Sequence, residues 1–184
     1  KHLLYQKPKS GYYRFPVEMG NKHLIRRLQL GQETPIKLSF TQSIRTRTQL
    51  AGAMGKKLLL DSAEVLQRLE DKTYLAQYGL TPETAVCLFI PNTYEVYWTM
   101  SADQLFARMH KEYLRFWNEE RRAKAKALGL TPVEVATLAS IVASETNKTA
   151  EHPLIASLYL NRLNKGIALQ ACPTVIFAVG DFKM

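Results

Sequence analysis

The sequence predicts an α+β fold in which helices predominate. Segments with apolar residues at helical spacing occupy most of the 184 residues, and several of them begin at a capping residue. A short alternating segment, with Ile36, Leu38 and Phe40 on one face, is typical of a strand. The hydrophobic content of 46% is enough to bury one good core or two small ones.

The first third of the chain carries the strand signals. We expect a short strand over residues 12–15 and an amphipathic helix from Asn21 to Leu30, which Gly31 ends. The alternating strand at 36–40 follows. Residues 46–58 then predict a helix that Gly52 and Gly55 weaken.

A capped helix from Asp61 to about residue 77 starts the second part. We place a domain boundary before it, which divides the chain into a small domain of residues 1–60 and a larger one of residues 61–184. A turn at 81–83 precedes an apolar run, and one long helix is expected from Ser101 to about Gly129. The last helix is expected from about Pro153 to Gly166.

The helix that begins at Thr131 carries the most informative carboxylate. Thr131 is a good N-cap, and Glu134 completes a capping box. An apolar stripe along this helix predicts its buried face: Val135, Leu138, Ala139 and Val142. Glu145 lies three residues past the last of them, on or beside that face. Desolvation raises the pKa of a carboxyl group, so Glu145 is a candidate general acid. The alternative is that Glu145 is simply the solvated last residue of a fraying helix.

Three motifs follow one another here: A-S-I-V-A-S-E-T at 139–146, N-R-L at 161–163 and L-Q-A-C-P-T-V at 169–175. In this order they resemble the catalytic core of the MltG-type (YceG-like) endolytic murein transglycosylases. Residues 10–19 resemble the family's small LysM-like subdomain, and residues 89–98 resemble its F-x-P-[DN]-T-Y element. The resemblance covers nearly all of the chain. It implies a LysM-like subdomain within residues 1–60, followed by a mostly helical, mixed α/β catalytic region within residues 61–184.

The chain departs from the family pattern in three ways. Ala143 stands where the family often has a second acid, and Cys172 stands where its L-Q-x-D-P-T motif has Asp. A thiol at that position removes a charged acceptor, which bears on activity and specificity. The chain also stops at Met184, before the family's Y-N-T-Y and G-L-P-P-G motifs, and lacks the expected membrane anchor. We therefore expect a fragment, truncated at the C-terminus, of a protein anchored in the inner membrane and facing the periplasm or the cell exterior.

The resemblance implies cleavage of the β-1,4 bond between N-acetylmuramic acid and N-acetylglucosamine without water. Glu145 is expected to protonate the leaving oxygen and then to take the proton of the muramyl 6-hydroxyl, which gives a 1,6-anhydro end. The N-acetyl group of the substrate supports the cationic centre, so one carboxylate suffices where ordinary glycosidases use two. Gln170, Asn161 and Thr174 are candidate contacts to sugar or to the catalytic loop, with turn or capping hydrogen bonds as the alternative.

The resemblance also suggests partners. Peptidoglycan glycan strands are the expected substrate, and a peptidoglycan synthase is a possible neighbour because such enzymes are thought to terminate growing strands. Aromatic residues offer stacking surfaces for sugar rings, with core packing as the alternative: Tyr94, Tyr97 and Trp98. Basic residues are candidates to bind stem-peptide carboxylates, with a solvated surface as the alternative: Arg26, Arg27, Arg45 and Arg47.

Charge, histidine spacing and cysteine content bear on three other kinds of site: nucleic-acid, metal and disulfide. A net charge of +9 favours a polyanionic partner, but nothing resembles a helix-turn-helix element or a glycine-rich RNA motif, so nucleic acid is not expected. The four histidines show no metal-ligand spacing, and no cofactor is expected. The sequence does not place Cys87 and Cys172 within disulfide reach of each other, and Cys87 is expected to be a buried small hydrophobe. A non-catalytic peptidoglycan-binding protein of the same fold remains the alternative, which Cys172 favours and the retained Glu145 opposes.

Overall fold

The computed structural model describes residues 7–41 and 43–180 and has a mixed α+β architecture, mostly helical with a small sheet. The chain divides into two compact units, Lys1–Leu114 and Arg115–Met184. The ends of the predicted domains, at residues 1 and 184, lie outside the described residues.

The first unit begins with an irregular segment rather than the predicted strand at 12–15, and that prediction is wrong. The backbone of this segment makes one hydrogen bond to a side chain and one to the backbone. Arg14 N donates to Thr34 Oγ1 (3.0 Å), and the Tyr12 carbonyl accepts from Thr34 N (2.7 Å). Such pairing satisfies the backbone without forming a regular ladder. Helix α1 (Asn21–Leu30) is confirmed, and Gly31 ends it in the left-handed conformation at φ 69°.

The sheet has two antiparallel strands, β1 (Ile36–Phe40) and β2 (Asn92–Val96), which pair Ile36 with Val96 and Leu38 with Tyr94. Strand β1 is confirmed. Tyr94 lies on β2 and is buried, as the core-packing alternative predicts.

The other elements of the first unit are helical. Between β1 and β2 the chain forms α2 (Arg47–Gly55), α3 (Ser62–Glu70), α4 (Lys72–Ala76) and a 3₁₀ turn (Ala85–Leu88), and α5 (Ala102–Phe116) follows β2. The predicted helix of 61–77 is broken at Asp71, because the Asp71 carboxylate caps α4 by accepting from Tyr74 N (3.0 Å). The predicted helix of 101–129 is likewise two helices. Asn118 accepts from Arg121 N (3.0 Å) and starts α6 (Glu119–Ala127).

The core of the first unit is aliphatic and aromatic. Phe106 of α5 makes edge-to-face contacts with Tyr74 and Phe89, each with ring centroids 5.3 Å apart, and Phe40 of β1 packs against Phe89 at 5.4 Å. Cys87, expected to be buried, is half-buried, and no disulfide joins it to Cys172.

The second unit contains α6, α7 (Pro132–Glu145), a 3₁₀ turn (Thr149–Glu151), α8 (His152–Asn164) and α9 (Cys172–Val179). Its buried core is small, comprising Leu138, Val142, Tyr159 and Ala171. Large apolar side chains remain exposed on α8, α9 and their connection: Leu154, Leu158, Leu163, Ile167, Val175, Phe177 and Val179. No single described helix is long and apolar enough to cross a membrane, whereas α6 and α7 meet that requirement only as a pair bent by 78°.

The division between the units falls at Leu114 and Arg115, whereas the sequence suggested a boundary near Asp61. The reason is tertiary: β1 pairs with β2 across that point, and α2 packs against α3. Because β1 pairs with a strand about fifty residues later in the chain, local sequence composition does not reveal that the two segments belong to the same unit. The LysM-like character of residues 1–60 stays a prediction.

Candidate active site

Helix α7 places Glu145 at its last position. Thr131 Oγ1 accepts from Glu134 N (3.2 Å) and the Glu134 carboxylate accepts from Thr131 N (2.7 Å), which confirms the predicted capping box. Leu138 and Val142 bury one face of the helix. The helix is therefore fixed at its start by the cap and along one side by the core, and it ends with an acid.

The side chain that meets this acid comes from α8. The Tyr159 hydroxyl donates to Oε1 of Glu145 at 2.6 Å. Tyr159 is only 4% exposed and lies in the core cluster with Leu138, Val142 and Ala171. The contact is therefore made by a ring whose position is set by packing.

The pKa of Tyr159 is raised to about 12, chiefly by burial and then by the hydrogen bond to Glu145 and the negative charge of that carboxylate. Arg162 opposes this shift, whereas Cys172 adds to it. At neutral pH the hydroxyl is protonated and serves as a donor to the carboxylate.

Glu145 itself is exposed, which corrects the expectation that its carboxyl is partly desolvated by apolar neighbours. The buried stripe of α7 ends at Val142, one turn earlier. At the last position Tyr159 covers one oxygen of the carboxylate, and the rest of the side chain remains open to solvent. The spacing of apolar residues along α7 predicted the direction of the Glu145 side chain but not how much of it is exposed to solvent.

A short clamp follows Glu145. Thr146 Oγ1 donates to Glu151 (2.8 Å), its carbonyl lies 3.2 Å from His152 Nε2, and Lys148 N donates to Thr146 Oγ1 (3.1 Å). Lys148 Nζ also pairs with the Glu151 carboxylate at 3.4 Å. These bonds turn the chain sharply from α7 into α8 and so bring Tyr159 back towards Glu145.

A second connection, between α8 and α9, contains one of the predicted site residues, Gln170. Arg162 donates from its guanidinium to the carbonyl of Leu169, and Ala171 beyond it is buried. Gln170, between them, has φ 52°, the only non-glycine residue with positive φ in the described part of the chain. A non-glycine residue in this conformation is held there by its surroundings.

The predicted site residues are not all on the same side. Asn161 is exposed and lies two positions after Tyr159, about 200° around α8, so it faces away from the side that meets Glu145. Gln170 is exposed at the connection. Thr174 is exposed too, and its hydroxyl donates to the Ala171 carbonyl (2.6 Å), which is the capping interaction that the sequence left open. Contact with sugar stays a prediction for all three.

The other acids of the second unit have structural positions. Among its described residues, Glu134 caps α7, Glu151 binds Thr146 and Lys148, and Glu120 pairs with Lys124 (2.6 Å), while Glu119 lies in the first turn of α6. Within residues 7–41 and 43–180 no three His, Cys, Asp or Glu side chains are grouped as a metal site requires.

The basic and aromatic candidates of the first unit have mainly structural contacts. The Arg27 guanidinium donates to the Arg14 and Gln32 carbonyls (3.0 and 3.1 Å), and Arg47 donates to the Pro82 carbonyl (2.7 Å). Tyr97 is exposed and Trp98 is half-buried. Stem-peptide binding and sugar stacking by these residues stay predictions.

Sequence reasoning missed Tyr159 and Arg162. Arg162 was visible as the middle of the N-R-L motif, and Tyr159 as the one polar-tipped residue of an apolar helix segment that runs from Leu158 to Leu160. A buried tyrosine usually finds a partner for its hydroxyl. That rule was the available signal, but it does not say which partner.

The fold and this site define a protein of the YceG-like class. The YceG-like family model matches residues 2–184, so the chain belongs to the YceG-like family. It is 26% identical to an endolytic murein transglycosylase of Streptococcus pneumoniae, over 98% of this chain and 37% of that protein. It is 24% identical to the endolytic murein transglycosylase of Bacillus subtilis, over 95% of this chain and 52% of that protein.

The fold has a solved counterpart. The crystal structure of a YceG-like protein from Listeria monocytogenes superposes with a TM-score of 0.70 at 24% identity, covering 94% of this chain and 62% of that one. The chain thus spans about a third to a half of the length of the curated relatives that it matches.

Proposed function

We propose that this protein is an endolytic peptidoglycan lytic transglycosylase and that Glu145 is its catalytic acid and base. The observation that carries the proposal is the Glu145 carboxylate, exposed at the end of α7 and bound at one oxygen by Tyr159 at 2.6 Å. Such a carboxylate is accessible to substrate and oriented by the protein. The names of the relatives, endolytic murein transglycosylase, supply the substrate class.

The proposed reaction uses no water molecule, and every atom of the substrate appears in one of the two products. Protonated Glu145 gives its proton to the glycosidic oxygen between N-acetylmuramic acid and N-acetylglucosamine while the C1–O bond breaks, and the substrate's N-acetyl group supports the cationic carbon. The resulting carboxylate then takes the proton of the 6-hydroxyl as its oxygen bonds to C1. The products are a 1,6-anhydromuramyl end and a free 4-hydroxyl on N-acetylglucosamine, and Glu145 is protonated again.

One carboxylate is enough for this sequence because the internal 6-hydroxyl replaces both water and the second acid of ordinary glycosidases. Ala143 in place of a second acid is compatible with it. Gln170, Asn161 and Thr174 are proposed contacts to the glycan. For the whole protein we propose a place in the cell envelope, with an inner-membrane anchor and a peptidoglycan synthase as partner, where cleavage terminates nascent strands.

The test is a digest of purified peptidoglycan by the full-length protein, followed by mass spectrometry of the fragment ends. Wild-type protein should produce anhydromuramyl ends, and Glu145→Gln should lose them. Glu119→Gln is the matched control, since it changes an exposed acid in the first turn of α6 and should retain cleavage.

Two outcomes would redirect the proposal. Reducing ends would indicate hydrolysis and require a second carboxylate. Glycan binding without cleavage, by wild type and Glu145→Gln alike, would favour a non-catalytic peptidoglycan-binding protein, for which the Cys172 thiol in place of the family acid argues.

A further inference from the structure

The exposed carboxylate of Glu145 has to be held in one orientation to transfer a proton to a bound glycan. A glutamate at a helix end has three rotatable bonds, and solvent exposure leaves them free unless a fixed partner restrains them. The partner in this structure is the Tyr159 hydroxyl on Oε1.

We propose that Tyr159 is a positioning residue for Glu145: its hydroxyl occupies Oε1, so that Oε2 is the oxygen that exchanges the proton with the glycan. This deepens the proposed function and rests on it.

The ring is suited to this role because it does not move with the carboxylate. Tyr159 is 4% exposed, and the residues around it come from α7 and the start of α9: Leu138, Val142 and Ala171. The hydroxyl is thus anchored by the core of the unit, whereas Glu145 reaches it from an exposed position. Residues whose own position is locked by packing are the ones that hold a reacting group in place.

The bond from the hydroxyl to Oε1 becomes charge-assisted when the carboxylate is ionised, and hydrogen bonds of that kind are the stronger ones. The charged and titratable groups nearby act elsewhere: Arg162 donates to the Leu169 carbonyl, Lys148 and Glu151 pair with each other, and His152 contacts the Thr146 carbonyl. Cys172 is the remaining titratable neighbour of Tyr159.

The experiment compares Tyr159→Phe with wild type in the rate of formation of anhydromuramyl ends at several glycan concentrations. The variant keeps the ring and removes the donor. We expect kcat to fall about tenfold with KM little changed, the effect of one lost hydrogen bond to a charged group in the transition state.

Tyr113→Phe is the matched control. Tyr113 is also buried, on α5 of the other unit, and has no proposed role in binding or catalysis. Its substitution should leave kcat and KM unchanged. A merely structural tyrosine at position 159 would lower the yield of folded enzyme without lowering the kcat of the molecules that fold.

A second readout does not depend on activity. With ¹³C-labelled tyrosine, the ring Cζ resonance of Tyr159 should titrate near pH 12 in wild type and at lower pH in Glu145→Gln, since that variant removes the carboxylate charge.

The outcomes separate the two proposals. An unchanged kcat in Tyr159→Phe, while Glu145→Gln abolishes cleavage, would overturn the positioning role and leave the proposed function intact. Equal Cζ titrations in wild type and Glu145→Gln would overturn the contact itself. If the wild type makes no anhydromuramyl ends, the proposed function fails, and the positioning role for catalysis fails with it even where the titrations differ.

Discussion

The hydroxyl of Tyr159 lies 2.6 Å from Oε1 of Glu145, although fourteen residues separate them in the chain. The two residues belong to consecutive helices, and the clamp around Thr146 turns one helix into the other. Helix α7 ends at the acid, and the buried face of α8 carries the tyrosine. The geometry of the candidate site is thus a property of this turn rather than of either helix.

Alkaline pH should test the burial of Tyr159 directly. The pKa of its hydroxyl is about 12 in the folded protein and about 10 in an unfolded chain, so between these values the folded state retains a proton that the unfolded state has lost. Stability therefore falls as pH rises through this window. We expect the wild type to lose about 2 kcal/mol more unfolding free energy between pH 10 and 12 than Tyr159→Phe does.

Urea unfolding at pH 9.5 and 11.5 measures this difference. Tyr97→Phe, which alters an exposed tyrosine, should behave like the wild type. Equal losses in wild type and Tyr159→Phe would mean that the Tyr159 hydroxyl is not sequestered.

Substitutions at Gln170 should change the free energy of unfolding according to how well the new residue tolerates a positive φ. Its φ of 52° is easy for glycine and strained for a β-branched residue. We expect Gln170→Gly to raise the unfolding free energy by up to about 1 kcal/mol and Gln170→Val to lower it by about 1–2 kcal/mol. Thermal unfolding provides the measurement.

Gln67→Gly is the contrasting control for Gln170→Gly. Gln67 is exposed in the interior of α3, where glycine should cost about 1 kcal/mol. If both glycine variants are destabilised alike, the conformation assigned to Gln170 is wrong. Reduced glycan cleavage by a Gln170→Gly protein of undiminished stability would support a contact of the side chain with substrate.

Arg162 should hold the connection between α8 and α9. Arg162→Met keeps an apolar stem but removes the donor to the part-buried Leu169 carbonyl, and the loss of such a bond should cost about 1 kcal/mol. We expect faster amide hydrogen exchange over residues 165–171, followed by mass spectrometry, with little change in α6. Lys165→Met alters an exposed cation in the same connection and should leave exchange there unchanged.

The start of α7 should be sensitive to its cap. Thr131→Ala removes the oxygen that accepts from Glu134 N and should lower the unfolding free energy by about 1 kcal/mol. Thr137→Ala changes the same residue type in the interior of the helix, where the hydroxyl bonds only to the Val133 carbonyl. This control should be neutral or slightly stabilising because alanine is the better helix former. Equal losses in chemical unfolding of the two variants would contradict the cap.

By itself the sequence determined the features that arise within a few residues. The boundaries of α1 and β1, the capping box of Thr131 and Glu134, and the acid at the end of α7 were all predicted, because caps, glycine stops and apolar spacing act locally. The motifs from Ala139 to Val175 also indicated the family to which the chain belongs. Two local signals were nevertheless misread: Asp71 and Asn118 each cap a new helix, where continuous helices were expected.

Only the tertiary structure decided what depends on distant residues. The pairing of β1 with β2 places both strands in the unit Lys1–Leu114, and the packing of α7 against α8 makes Tyr159 the partner of Glu145. The exposure of Glu145 belongs here as well. Spacing along one helix gives the direction of a side chain, whereas its cover and its hydrogen-bond partners depend on which other elements fold against it.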